Sequence, residues 1–129
     1  MIESFVEAFN CGESEAVLAL LSASALFELP LLGQRLVGHP EIRAGLARIR
    51  DVTVICRLEL TALGRAPGVS IGEGSLRARR RADSATLELP MAMVATGTGG
   101  GIERLSVYLN TRGQRLWSDS AILPSVIHG

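Results

Sequence analysis

The stretch Thr86-Leu-Glu-Leu-Pro-Met-Ala-Met-Val94 decides the fold, because two further strand-like segments fold against it. Val69 to Arg81 reaches it across the short turn Ala82-Asp83, and the glycine loop Gly97 to Gly101 returns it into Ile102 to Asn110. Alternating segments joined by such turns predict a three-stranded antiparallel meander. With Ala82 and Asp83 as the loop residues, Arg81 faces Ser84, and counting back sets Arg77 opposite Glu88 and Ser75 opposite Pro90. Side chains alternate along a strand, so Glu88, Pro90, Ala92 and Val94 share one face and Leu87, Leu89, Met91 and Met93 the other. Both faces are largely apolar, which calls for cover on both sides, from helices or from a partner chain.

Upstream residues supply the helices. Ile2, Phe5, Val6 and Phe9 recur at helical spacing, and Asn10-Cys11-Gly12 ends the run as a C-cap would. Glu13 or Ser14 begins a second helix with Val17, Leu20 and Leu21 as its stripe, stopping near Ser22. Ala25 to Pro30 reads as a short strand broken by the proline, and Leu31 to Gly38 as a loop or small hairpin. Pro40 suits the first turn of a third helix, with Ile42, Leu46 and Ile49 on one side and Arg43, Arg48 and Arg50 away from it. From Val52 the period becomes two, and the turn Gly64 to Gly68 closes that strand. Gly72 and Gly74 predict a bulge or bend in the next one. The tail, Arg112 to Gly129, reads as no more than a short strand or turn near Trp117.

At 129 residues the chain is expected to form one domain, 1–129. Thirteen basic and thirteen acidic residues cancel, so no overall field recruits nucleic acid or an anionic membrane. The longest apolar run, Ala16 to Leu21, is too short to span a bilayer, and Met1-Ile-Glu-Ser lacks the positive flank of a signal peptide; a cytoplasmic location is expected. Alternation splits Arg77-Ala-Arg-Arg-Arg81 across two faces with no interleaved aromatics, so it reads as a solvated strand end and not an RNA surface. The loop Gly97 to Gly101 precedes a strand and not a helix, which makes it a hairpin loop and not a phosphate cradle. His39 and His128 stand in no metal-ligand spacing, and neither a metal nor a cofactor is expected. Cys11 and Cys56 are isolated and read as reduced packing residues.

Helices first and a long meander afterwards describe an α+β fold, three N-terminal helices packed on a curved, mainly antiparallel sheet. The segments Phe5-Val-Glu-Ala-Phe-Asn-Cys-Gly12, Ala25-Leu-Phe-Glu-Leu-Pro30, Gly38-His-Pro-Glu-Ile-Arg43, Glu88-Leu-Pro90 and Ile102-Glu-Arg-Leu-Ser-Val-Tyr-Leu-Asn110 resemble the SnoaL-like and ketosteroid-isomerase-like branch of the nuclear transport factor 2 superfamily, over about residues 2–111. The resemblance implies a cystatin-like cone enclosing an apolar pocket, often dimeric through the outer face of the sheet.

Ketosteroid isomerases of that family place a general-base aspartate directly before the proline that ends the first strand, where this chain has Leu29. Their oxyanion tyrosine falls on Phe5 and their protonated aspartate on Ala92. None of the three can abstract a proton or stabilise an enolate, which implies that steroid isomerisation is absent. Glu28 adjoins the base position, but one step along a strand turns it to the opposite face. The family's Tyr-x-Asp appears as Tyr108-Leu-Asn110, without a carboxylate base for cyclase or hydrolase chemistry.

The family register implies a pocket lined by Phe5, Leu29, Ser75, Arg77, Glu88, Pro90, Ala92, Leu105, Val107 and Leu109. Glu73, Glu88 and Arg77 are then the candidate catalytic groups, through a raised carboxyl pKa and an anion-holding guanidinium. The other reading of Arg77 and Glu88 is a cross-strand salt bridge at a wet mouth. Three functions follow: a binding protein for a hydrophobic small molecule, an enzyme that uses those pocket residues, and a homodimeric interaction module joined through the sheet.

Overall fold

The computed structural model describes residues 1–109. Asn110, the expected turn near Trp117 and His128 lie outside the described residues. The elements are α1 (Ile2–Asn10), α2 (Ser14–Ala19), β1 (Leu21–Leu29), a 3-10 turn (Pro30–Leu32), β2 (Gln34–Val37), α3 (Gly38–Val52), β3 (Thr53–Ala66), β4 (Val69–Arg80), β5 (Thr86–Thr98) and β6 (Gly101–Leu109). Six strands form one mixed, curved sheet in the order β2-β1-β6-β5-β4-β3. Only the β1–β6 pair among them is parallel.

The expected meander is present in its expected register, Arg77 opposite Glu88 and Ser75 opposite Pro90. Its turn is wider than two residues. The amide of Arg80 donates to the Ala85 carbonyl at 2.8 Å, while Arg81 leaves the ladder and its amide donates to the Val52 carbonyl at 2.9 Å. The second helix ends at Ala19 and β1 starts at Leu21, earlier than the sequence pattern suggests. The cause is nonlocal: the Ile102 amide donates to the Leu20 carbonyl at 2.9 Å and Leu21 pairs with Ile102, which draws this segment into the sheet. β3 also outruns its expected end, because pairing with β4 continues to Ala66 opposite Val69.

The irregularity expected within the strand of Gly72 and Gly74 falls instead on its neighbour: the register shifts in β3 between Leu60 and Ala62, across from Gly74. A Cβ on Gly74 would stand 1.8 Å from the Glu59 carbonyl oxygen, so only a hydrogen fits.

The curved face of the sheet holds Leu76, Leu87, Leu89, Met91, Met93, Leu105, Val107 and Leu109 against Ile2 and Phe5 of α1, Val17 of α2, and Ile42 and Leu46 of α3, all buried. Arg43 clamps α3 to α2 through Glu15, with bonds of 2.9 and 3.1 Å. No described helix is long and apolar enough to cross a membrane.

A candidate ligand-binding chamber and its polar groove

Phe5 and Phe9 stand one helical turn apart on α1, so both reach the sheet, and their rings stack at 6.0 Å. Phe27 of β1 meets Phe5 at 6.1 Å. Around this aromatic group lies a chamber of about 50 Å³ walled by Phe5, Phe9, Phe27, Leu29, Ile49, Cys56, Leu58, Leu76, Val107 and Leu109. A smaller hollow of about 20 Å³ continues past Phe27, Leu29 and Ile49 toward Gln34 and Ile42. Among the described chamber walls the ionisable group is the Cys56 thiol, which burial pushes up to about 12, so it stays protonated and is a poor nucleophile.

Three of those walls, Phe9, Ile49 and Cys56, also border a groove of about 280 Å³ at the free edge of β3. Asn10 holds this edge. Its side-chain amide donates to the Leu58 carbonyl at 2.8 Å and its carbonyl accepts the Leu58 amide at 2.9 Å, imitating a paired strand residue. Arg81 closes another side, donating to the carbonyls of Asp51, Arg50 and Thr53 at 3.3, 3.4 and 2.9 Å. These lie at the carbonyl end of α3, where a cation is favoured.

The expected pocket divides between two faces. Phe5, Leu29, Val107 and Leu109 do wall the chamber. Leu105 is buried in the same core without being one of its walls. Ser75, Arg77, Glu88, Pro90 and Ala92, with Glu73, stand on the outer face, away from the helices. The correction follows from register: Ala92 pairs with Tyr108 and Met93 with Val107, so Ala92 and Val107 cannot share a face. Arg77 and Glu88 meet at 3.4 Å with side chains 60% and 59% exposed, the solvated cross-strand pair and not a pocket dyad. They therefore supply no acid, base or anion clamp to the chamber.

The walls that the sequence pattern did not nominate are Phe9, Phe27, Ile49, Cys56, Leu58 and Leu76. Their signal was present as the helical stripes of α1 and α3 and the alternation of β1, β3 and β4.

Glu28 faces outward, as its position beside Leu29 requires, yet it is buried. One oxygen, Oε1, accepts from the Ser106 hydroxyl at 2.8 Å and from Arg104 Nε at 2.9 Å. The Ser106 hydroxyl foremost, with Arg104, holds this carboxyl below its ordinary value while burial pushes the other way. His39 is tied to the Leu21 carbonyl at 3.0 Å. Among the described residues no three His, Cys, Asp or Glu side chains gather as metal ligands do.

Helices laid on a bent sheet around an apolar chamber define the cone architecture of ketosteroid-isomerase-like, SnoaL-like and cystatin-fold proteins, the nuclear transport factor 2-like fold. No family model matches the sequence, and no curated protein matches it. Among solved structures, a hypothetical protein from Catenulispora acidiphila with a ketosteroid isomerase-like fold, in complex with trimethylamine, superposes with a TM-score of 0.81 at 17% identity, over 96% of this chain and 93% of that one. A protein assigned as a polyketide cyclase from Xanthomonas campestris gives 0.79 at 21% identity over 86% and 88%. TerC co-crystallised with polyporic acid gives 0.78 at 18% identity over 89% and 92%. At these identities the likeness is one of fold.

Proposed function

We propose that this protein binds a small molecule of largely apolar character in the chamber beneath α1 and α3, and does not isomerise ketosteroids. The observation that carries the reading is the chamber wall: among the described residues it consists of aromatic and aliphatic side chains with one protonated thiol and no carboxylate. A ligand buried there gains from apolar surface alone, at about 25 cal/mol per Å². The space is small, since an engineered cavity of about 150 Å³ is what holds a benzene ring. Part of the ligand therefore extends toward the groove, or the side chains part to admit it. Two solved proteins of this fold are complexes with small molecules, trimethylamine and polyporic acid, which supports a small-molecule-binding role without naming the ligand here.

Two assays on one preparation test the reading: a thermal-shift screen of apolar and amphiphilic compounds, and dienone formation from a ketosteroid followed by absorbance. Stabilisation by at least one compound class with no turnover is the expected result. Turnover would overthrow it, since no described residue of the chamber wall is a base.

A second reading, compatible with the first, is a homodimer joined through the outer face of the sheet. Ile71 is 52% exposed there, and the half-buried Val94, Ala92 and Tyr108 lie beside it in the pairing. Light scattering at micromolar concentration is expected to give twice the 13.7 kDa chain mass; a concentration-independent monomer would sink this reading.

A further inference from the structure

We infer that the ligand is an amphiphile with an anionic head, a small apolar carboxylate being its simplest form, whose tail enters the chamber and whose head lies in the groove at the edge of β3. The inference rests on the binding role proposed above and adds the chemistry of the head. Chamber and groove share Phe9, Ile49 and Cys56, so a molecule of a few carbons can touch both.

The described walls of the groove are charged in one sense. Arg50, Arg57 and Arg81 are among them, and no described Asp or Glu is. Arg81 is committed to the carbonyls at the end of α3, which offsets the negative end of that helix. Arg50 and Arg57 form no ion pair among the described residues. Arg57 faces Arg77 across the ladder, so it leaves β3 on the outer face and borders the groove from the strand edge; Glu88, the partner of Arg77, lies one strand further away. Asp51, adjacent in sequence, lines a different hollow with Glu41 and Arg48. A guanidinium offers a planar fork of donors that matches a carboxylate, whereas a neutral or cationic head would find cations and no acid among the described walls.

Hexanoate, 1-hexanol and hexylamine share one tail and differ in the head, so titrating the 129-residue chain with each, by calorimetry, separates the two halves of the argument. Hexanoate is expected to bind about tenfold more tightly than hexanol, and hexylamine more weakly than either. Arg50→Gln and Arg57→Gln change exposed side chains; each is expected to weaken hexanoate about threefold and the pair about tenfold, with hexanol unchanged. Arg79→Gln, an exposed arginine outside the groove, is the control for general charge and should leave hexanoate binding as it was. Added salt should weaken hexanoate and spare hexanol.

Hexanol binding as tightly as hexanoate, or arginine variants that weaken all three compounds alike, would overturn the anionic head while leaving the chamber's binding role intact. Failure of all three to bind would overturn both.

Discussion

Glu28 and Glu88 stand on the same outer face of the sheet and differ in what surrounds them. Glu88 pairs with Arg77 at 3.4 Å, and both side chains are more than half exposed. Glu88→Gln is expected to shift stability by under about 1 kcal/mol, because an exposed pair gains little Coulomb energy and orders two long side chains. A double-mutant cycle with Arg77→Gln should return additive losses. Glu28 is buried and receives Ser106 and Arg104 on one oxygen. Its folded pKa lies below the unfolded one, so it contributes stability above the unfolded value and loses it as pH falls through the folded value. Ser106→Ala removes the foremost lowering contact. The acid-unfolding midpoint should then move to higher pH, in melts taken from about pH 7 down to about pH 3; an unchanged acid limb would refute the assignment.

At the scale of elements, two contacts shape β3. Asn10 makes both bonds of a strand neighbour to Leu58, and Asn10→Ala should cost about 1 to 2 kcal/mol by freeing the edge of β3, with faster amide exchange at Leu58 as the direct readout. Gly74→Ala should cost more, on the order of 3 kcal/mol, since its methyl would press on the backbone carbonyl of Glu59 and flatten the bend. The meander was legible in the sequence because its signals are local: a turn, an alternation and a count back from the turn. The parallel pairing of β1 with β6 was not, since it joins residues 78 to 81 positions apart with no turn between them to fix a register. Asn10 read as a helix terminator, which it also is; its bond to residue 58 leaves no trace in local pattern. Which face of β5 the helices cover was ambiguous for a physical reason too. Both faces are apolar, and the decision falls to bulk: leucines and methionines fill the curved side, while Glu88, Pro90 and Ala92 are left outside.

For the whole molecule, the chamber carries a cost in stability. At about 24 cal/mol per Å³ of unfilled core, a space of about 50 Å³ withholds roughly 1 kcal/mol from the folded state. That is a tenth or so of a small domain's stability. If the space exists to receive a ligand tail, filling it should raise stability and lower binding together, the exchange expected where a site is kept open against packing. Val107 is a suitable position, because it is buried, walls the chamber and adjoins Met93 across the ladder. Val107→Ile adds one methylene to the void, and is expected to raise stability by up to about 1 kcal/mol in chemical denaturation. The same variant should weaken 1-hexanol binding severalfold. Phe5→Ala sets the opposite limit: it empties the aromatic cluster, is expected to cost about 3 to 5 kcal/mol, and enlarges the chamber. A stabilised Val107→Ile protein that binds hexanol as well as the parent would show that the void is a packing defect and not a receptor.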